Sequence, residues 1–368
     1  MNTWIWQNKN WPKFTWDLNQ INPILAEIHT LRGELNGIAH AIGFESLSSF
    51  VLDNEVLEIL KTSEIEGIIL NKEDVRSSVA RRLGIEVKKI NNNHYIDGIV
   101  NVFIDAIQNC DDELNKEKLF LWHKTLFPLG VSDGYPIAVA KYRDTEDAMQ
   151  VVSGAMGKEK IHYQAPPSNM INIMMEDFFR WANNEKDLDN VIKAAIVHLW
   201  FVSIHPFDDG NGRIARTLTD VFLTRFDKMP RRFYSMSSEI LKQRKIYYDI
   251  LEKTQKGDMD ITLWIEWFLQ CLKSSLINGK EILLKVIEKT RFWEKNREKG
   301  FNERQIKVIN MLFDDFFGVL STSKWAKINK CSQDTALRDI NDLINKGVLQ
   351  KGSSSGRSTN YILRNVTL

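Results

Sequence analysis

Cysteine is scarce in this chain of 368 residues, which has only three: Cys110, Cys271 and Cys331. They are odd in number, far apart and outside any C-x-x-C pattern. This usage suits a reducing compartment and argues against a disulfide framework or a zinc site. We therefore expect a cytoplasmic protein.

An excess of charge of either sign is also missing, since 49 Lys and Arg residues face 48 Asp and Glu residues. A net charge of +1 creates no long-range field towards nucleic acid or a membrane surface. The longest apolar run, residues 191–207, is interrupted by Lys193, His198 and His205, so it predicts a buried helix rather than a membrane span. Residues 1–6 lack the basic region and apolar core of a signal peptide.

Residues 205–216 read H-P-F-D-D-G-N-G-R-I-A-R and gather the groups that nucleotide chemistry needs. The Gly-Asn-Gly turn lets the backbone approach a polyphosphate, and a helix that starts there attracts anions through its free N–H groups and its dipole. Arg213 and Arg216 are three residues apart, so they share one helix face and can bind adjacent phosphates. Asp209 offers a hard oxygen to Mg²⁺, and His205 can take a proton near neutral pH.

This run resembles the signature of the Fic family, H-x-F-x-(D/E)-G-N-G-R-x-x-R, with every fixed position filled. Fic proteins mostly transfer AMP from ATP to a Ser, Thr or Tyr hydroxyl of a target protein. The resemblance implies a mainly α-helical core with a β-hairpin flap, ATP as co-substrate and Mg²⁺ as its counterion. It also implies individual roles: His205 as general base, Asp209 as magnesium ligand, Gly210, Asn211 and Gly212 around the α- and β-phosphates, Arg213 at the leaving group, Arg216 at the γ-phosphate, and Phe207 as an anchor in the core.

Residues 62–67, T-S-E-I-E-G, match the (S/T)-x-x-x-E-(G/N) pattern of the inhibitory helix of many Fic proteins. In that family the glutamate pairs with the second signature arginine and fills the space that the γ-phosphate needs. By this resemblance Glu66 binds Arg216 and holds ATP in an unproductive pose. Family members can also remove AMP, with the glutamate positioning the attacking water. From the residues alone, a solvated helix end closed by Gly67 is the alternative.

Residues 139–167 resemble the flap of the family. Apolar and polar residues alternate over short spans bounded by Gly and Pro, as a β-hairpin requires. In Fic proteins this hairpin aligns the target backbone by strand addition and covers the nucleotide. A plain surface hairpin would explain the pattern equally well. The residues expected at the nucleotide are Ile161, His162, Tyr163 and Gln164.

Downstream, Tyr247, Tyr248 and Gln255 lie on a predicted helix where related proteins contact the nucleotide. Several relatives carry Asn in place of Gln255, and tyrosines at helical spacing also pack in cores. His123, His162 and His198 have no recognisable partner spacing, so spacing alone predicts a structural role for each, which for His162 is the alternative to a nucleotide contact.

The length predicts more than one core, and we assign residues 1–90 to a region with the inhibitory helix, 91–280 to the catalytic core and 300–368 to a separate domain. The first region carries four tryptophans that we interpret as packing anchors, with an exposed aromatic patch for a partner as the alternative: Trp4, Trp6, Trp11 and Trp16.

The last region predicts helices over residues 303–313, 323–328 and 332–346, then two short strands around a basic loop. This order is typical of a winged helix-turn-helix. Residues 303–368 hold ten Lys and Arg against six Asp and Glu, a net charge of +4. Dimerisation and protein docking are the alternatives to DNA binding. The residues expected at DNA are Gln333, Thr335, Arg338, Lys351 and Arg357.

Two functions of different classes follow. The first is an enzyme that transfers AMP, is inhibited by Glu66, and uses its terminal domain to recruit a target or to form a homodimer. The second is a DNA-binding regulator that uses the nucleotide pocket as a sensor. The intact His205, Asp209 and paired arginines favour the first, because a sensor needs no base.

Overall fold

The computed structural model describes residues 4–42, 48–85, 93–154, 158, 160–229, 231–314, 316–352 and 359–364. The chain forms two compact units, residues 1–280 and residues 281–368. The predicted fold class is confirmed, since the described residues are mainly α-helical with short antiparallel hairpins. No helix in these ranges has both the length and the apolar character that a membrane span requires.

The first unit is a helical assembly with two hairpins. Its helices are α1 (Leu18–Ile42), α2 (Ser48–Ile65), α3 (Lys72–Arg82), α4 (His94–Gln108), α5 (Lys116–Leu126), α6 (Ile171–Asn184), α7 (Asn190–Ile204), α8 (Asn211–Asp227), α9 (Met236–Lys242), α10 (Arg244–Gln255) and α11 (Thr262–Lys295), the last of which begins in this unit. Its strands are β1 (Val131–Ser132), β2 (Tyr135–Pro136), β3 (Gln150–Ser153) and β4 (Lys160–Gln164). Two short 3₁₀ helices cover Ile5–Gln7 and Ser168–Met170.

Helix α7 is the centre of this unit. Its residues from Val191 to Ile204 are all buried, as the apolar run predicted, and it packs along α8. The helix ends at Ile204 because His205 adopts a left-handed backbone conformation with φ of 51°. The predicted catalytic histidine therefore stands at the carboxyl end of the most buried helix.

Helix α2 is fixed to the same unit by buried polar contacts. The Asn54 amide donates to the carbonyl groups of Arg232 and Tyr234 at 3.1 and 2.9 Å. The buried Glu58 carboxylate accepts a hydrogen bond from the Ser235 hydroxyl at 2.6 Å. Buried polar groups form these hydrogen bonds in only one position of the helix. They therefore fix the location of the carboxyl end of α2 in the unit.

The flap is shorter than residues 139–167. Among the described residues of this range, only β3 and β4 are strands, and they pair as an antiparallel hairpin with Val151 opposite Tyr163. Lys141, Tyr142 and Arg143, which we placed in the hairpin, lie in irregular backbone. The reason is that the Arg143 N–H donates to Pro206 instead of to a neighbouring strand.

The second unit contains the end of α11, a 3₁₀ helix over Arg297–Lys299, and α12 (Glu303–Phe313), α13 (Thr322–Asn329), α14 (Gln333–Asn345), β5 (Leu349–Lys351) and β6 (Tyr361–Leu363). Trp325 is fully buried at its centre. Three helices followed by an antiparallel hairpin is the element order that we expected for a winged helix. Ser332 caps α14, and Thr335 bonds the Ser332 hydroxyl at 3.0 Å. Gln333 and Arg338 are exposed, whereas Arg357 lies outside the described residues.

Candidate active site

One cavity of about 490 Å³ brings most of the predicted site residues together, a size suited to a nucleotide. The predicted residues that line it are Glu66, His162, Tyr163, His205, Asp209, Asn211, Gly212, Tyr247, Tyr248 and Gln255. Ile161 and Gln164 do not line this cavity: the Ile161 side chain is exposed, and the Gln164 amide group pairs with Gln150. Gly210, Arg213 and Arg216 are buried next to the lining residues.

The loop between α7 and α8 is closed by a side chain of its own. The Asn211 amide donates to the Phe207 carbonyl at 2.8 Å and accepts from the Phe207 N–H at 3.0 Å. Gly210 takes φ of 83°, and a Cβ there would lie only 2.7 Å from the Phe127 ring. The Asn211 side chain thus shapes the loop, while the first-turn N–H groups of α8 are the donors suited to phosphate.

His205 is held in the protonation state of a base. Its Nδ1 lies 3.2 Å from the Val202 carbonyl, which can only accept, so Nδ1 carries the proton and Nε2 holds the lone pair. Burial lowers the pKa of His205 to about 4, and the imidazole is therefore neutral at pH 7. The buried Gln255 amide donates to the Ser203 hydroxyl at 3.2 Å, which ties α10 to the same helix end.

Arg143 supports the His205 loop and was not singled out as a site residue from the sequence. Its Nε donates to the His205 carbonyl at 2.8 Å and its Nη2 to the Pro166 carbonyl at 2.5 Å, while its backbone N–H donates to Pro206 at 2.9 Å. The side chain is 2% exposed. These partners are 23 to 63 positions away, so no local sequence pattern could have revealed them.

His123 is structural, as predicted. The Ala140 N–H donates to His123 Nδ1 at 3.3 Å, so Nε2 carries the proton and donates to the Asp209 carbonyl at 3.1 Å. Its ring stacks on Phe207 with 4.2 Å between centroids. Burial lowers the pKa of His123, which favours this neutral form.

Asp209 has the surroundings of a magnesium ligand. Its side chain is 46% exposed, accepts from the Gly210 N–H at 2.5 Å and accepts from the Ser132 hydroxyl. The Arg213 guanidinium is 3.8 Å away and packs on the Phe127 ring at 4.6 Å. A half-exposed carboxylate beside first-turn N–H groups fits Mg²⁺, which is usually bound by one or two carboxylates together with substrate phosphates.

Glu66 and Arg216 form the ion pair that the family resemblance implied. The Glu66 Oε1 accepts from Arg216 Nη2 at 2.7 Å, and Arg216 Nε donates to the Thr62 hydroxyl at 2.7 Å. Gly67, with φ of 81°, closes α2 through its bond to the Glu64 carbonyl at 3.0 Å. A Cβ at Gly212 would collide with the Glu66 carboxylate, so with any other residue there the carboxylate would have to move from its place beside Arg216.

Of the two predicted tyrosine contacts, Tyr247 is mainly part of the core. Tyr247 is 1% exposed, and its hydroxyl lies 3.0 Å from His198 Nε2. His198 also lies 3.0 Å from the Thr219 hydroxyl, and burial lowers its pKa to about 3, which agrees with its predicted structural role. Tyr248 is 37% exposed and presents more surface to the cavity.

In the flap, β4 carries a bulge at His162, because Val151 pairs with Tyr163 but the next residue pairs with Ile161. The His162 ring lies 2.5 Å from a Glu252 oxygen and 2.5 Å from the Ser153 hydroxyl. Glu252 was missed from the sequence, since a single glutamate on an amphipathic helix carries no signal. It connects the flap to α10.

Comparisons with known proteins agree with this geometry. Residues 113–223 match the Fic/DOC family. The chain carries a Fic/DOC family domain. Residues 4–85 match a second family, DUF4172, which is described as a domain of unknown function.

The chain is also similar to curated proteins. It is 27% identical over 210 residues to protein adenylyltransferase fic-1 of Caenorhabditis elegans, covering 55% of this chain and 37% of that protein. It is 29% identical over 218 residues to protein adenylyltransferase Fic of Culex quinquefasciatus, covering 58% and 39%. The matched parts are thus about two fifths of the length of these relatives.

Solved structures show the same fold. A Fic family protein from Desulfovibrio desulfuricans G20 matches with a TM-score of 0.53 at 18% identity, covering 95% of this chain and 97% of that one. A Fic domain containing signaling protein from Bacteroides thetaiotaomicron VPI-5482 matches with a TM-score of 0.54 at 21% identity, covering 71% and 96%. The expected Fic-type helical core is therefore confirmed.

Proposed function

We propose that the protein transfers AMP from ATP to a Ser, Thr or Tyr hydroxyl of a protein target, itself included, and that Glu66 inhibits this transfer. The proposal is carried by one observation: His205, the first turn of α8 and Asp209 line a single cavity of nucleotide size. The names of the matched adenylyltransferases support the same reaction.

In this reaction the neutral His205 takes the proton of the acceptor hydroxyl at Nε2, and the oxygen attacks the α-phosphorus of ATP. The bond from that phosphorus to the bridging oxygen breaks, and pyrophosphate leaves. The first-turn N–H groups of Asn211 and Gly212, with the Arg213 guanidinium, stabilise the charge on the phosphates. A magnesium ion held by Asp209 would neutralise the pyrophosphate. Such catalysis depends mostly on positioning. The contacts that hold His205 in place therefore affect the rate as much as its basicity does.

Inhibition rests on competition for one guanidinium. Arg216 is 3% exposed and already bonds both Glu66 and Thr62. A γ-phosphate that needs Arg216 would have to displace the Glu66 carboxylate, so ATP would bind with its triphosphate misplaced. We include AMP removal in the proposal, with Glu66 orienting the water.

Labelled ATP and magnesium test the transfer in a lysate of the source cells. We expect Glu66→Gly to label proteins more strongly than the wild type and His205→Ala to label none. Glu64→Gly is the matched control, because it places the same glycine two residues earlier, where the carboxylate pairs with Lys61 instead. Absence of label with Glu66→Gly would refute the transfer, and equal labelling by Glu64→Gly would refute inhibition by Glu66.

Removal of AMP has a separate readout. Proteins labelled by Glu66→Gly are repurified and incubated with wild-type protein and magnesium without ATP. We expect the wild type to release AMP and Glu66→Gly to release none. Retention of all label with the wild type would refute this part of the proposal.

The competing function is that of a DNA-binding regulator that uses the nucleotide pocket as a sensor. Such a protein would not need His205 Nε2 to accept a proton. A sensor would bind ATP equally well in His205→Ala and would leave all proteins unlabelled. The same labelling experiment, combined with ATP affinity by calorimetry, therefore separates the two functions. DNA contact through Gln333 and Arg338 stays a prediction, to be tested by salt-dependent binding of a duplex.

A further inference from the structure

The outer edge of the flap strand β4 is occupied by a tryptophan from the amino-terminal segment. The Trp6 indole N–H donates to the Gln164 carbonyl at 2.8 Å, across 158 positions of sequence. The Ala165 N–H donates to Met149 at 2.9 Å, on the side of β3. Because peptide groups alternate in direction along an antiparallel strand, the Gln164 peptide groups point away from β3.

The same segment packs against the strand. Trp4 is 8% exposed and meets the Tyr163 ring edge-on at 5.5 Å between centroids. The buried Tyr163 hydroxyl donates to the Ser203 carbonyl near the end of α7. An uninterrupted series of contacts therefore runs from Trp4 through β4 to the helix end that presents His205. These tryptophans are partly or fully buried, so the alternative of an exposed aromatic patch is wrong for Trp4.

The two edges of the hairpin consequently differ. Trp6 covers the β4 edge at Gln164, whereas Val151 and Val152 of β3 are 37% and 47% exposed and line the cavity. An extended segment adds to a sheet only where N–H and C=O groups are free to pair. Among the described residues no strand pairs with the outer edge of β3, so this edge remains for such a segment.

We propose that Trp6 and Trp4 position the flap, and that Trp6 closes its β4 edge so that the backbone of a protein acceptor pairs with β3. This gives part of residues 4–85 a role beyond carrying Glu66. The inference rests on the proposed AMP transfer, and Trp6 acts through the flap as a positioning residue rather than on the nucleotide.

Trp6→Phe in the Glu66→Gly background tests the inference, because phenylalanine keeps an aromatic ring but lacks the N–H. Loss of one hydrogen bond is expected to lower labelling of lysate proteins about fivefold, with the ATP dissociation constant unchanged within about twofold. Trp16→Phe is the matched control, since Trp16 is half-buried in the same segment and makes no hydrogen bond or ring contact with the flap among the described residues.

Hydrogen exchange gives a readout that does not depend on activity. We expect the amides of residues 163–165 to exchange faster in Trp6→Phe than in Trp16→Phe, with similar melting temperatures. Equal exchange in the two variants, or a lower melting temperature with unchanged labelling, would show that Trp6 only packs and would overturn the inference. If Glu66→Gly itself labels no protein, the AMP transfer fails, and faster exchange then still supports the anchoring but not its role with an acceptor.

Discussion

The Glu66 carboxylate and the Arg216 guanidinium, 150 positions apart in sequence, are joined by a hydrogen bond of 2.7 Å between Oε1 and Nη2. Thr62, one turn before Glu66, bonds the same guanidinium through its hydroxyl and its carbonyl. The end of α2 therefore holds Arg216 at three points. The Thr and Glu positions of the motif at residues 62–67 have a physical reason, since both side chains bind one guanidinium group.

Thr62→Val is expected to weaken inhibition without abolishing it. The substitution removes the hydroxyl that accepts from Arg216 Nε but leaves the Glu66 ion pair, and a single hydrogen bond to a charged group is worth about 1.5–3 kcal/mol. AMP incorporation should rise several-fold and stay below that of Glu66→Gly. Thr125→Val is the control, because its hydroxyl bonds only the Leu121 carbonyl within α5. Incorporation equal to the wild type would contradict the role of Thr62.

Gly212→Ala should destabilise the protein only when Glu66 is present. The new methyl group would collide with the Glu66 carboxylate, at a cost of about 1–3 kcal/mol, whereas alanine otherwise favours a helix. In the Glu66→Gly background we expect a neutral or stabilising effect, and hence a coupling of at least about 1 kcal/mol. Urea unfolding of the wild type, the two single variants and the double variant measures this coupling free energy. If Gly212→Ala changed the free energy of unfolding equally with and without Glu66, the Glu66 carboxylate would not lie beside Gly212.

AMP transfer should not fall near pH 6.5, the ordinary pKa of histidine. Burial lowers the pKa of His205 to about 4, so the base loses its lone pair only as the pH falls towards that value. Initial rates of Glu66→Gly at saturating ATP and magnesium, measured from pH 5 to 8, are expected to be level with respect to this group. A midpoint near pH 6.5 in the rate of AMP transfer would contradict the assignment. Chemical labelling of the same target proteins is the control, and it must not show this midpoint.

Arg143→Lys should lower the turnover rate more than ATP binding. Lysine cannot bond the His205 and Pro166 carbonyl groups at once, so the loop that carries the base would lose its fixed position. Misplacement of a base by about 1 Å can cost about 100-fold. We expect a drop in incorporation of 10-fold or more with a similar ATP affinity by calorimetry. Arg180→Lys, on the exposed face of α6, is the control.

Glu55→Gln should stabilise the protein in alkaline solution. Burial raises the pKa of Glu55 to about 7, and its Oε2 has no hydrogen-bond partner in the described ranges. A carboxyl group whose pKa is higher in the folded than in the unfolded state lowers the free energy of unfolding of the protein as the pH rises from about 4.5 to 7. The variant should gain about 2 kcal/mol at pH 8 and little at pH 5, by urea unfolding. The exposed Glu113→Gln is the control, and an equal gain at both pH values would refute the cause.

The sequence predicted what its local patterns control. The helix that begins at Asn211 follows from Gly210, and the three terminal helices follow from good N-caps such as Ser332. The pairing of Glu66 with Arg216 came from the family resemblance, since nothing local connects residues so far apart. Asn211 was expected around the phosphates, and its place in the first turn of α8 is compatible with that, but the sequence did not indicate that its side-chain amide bonds Phe207.

The remainder depended on contacts between distant segments. Arg143 was placed in the flap hairpin, yet its hydrogen bonds go to the His205 loop, because buried guanidinium groups need several acceptors that only the folded chain provides. The Trp6 indole was interpreted as packing, and its donor group proved to be as informative as its ring. Tertiary hydrogen bonds of this kind leave no periodicity to detect.

The contact between α2 and Arg216 lies within one compact unit of a single chain. Its closure is unimolecular, so its equilibrium does not shift with protein concentration. Dilution should therefore leave the fraction of closed molecules unchanged.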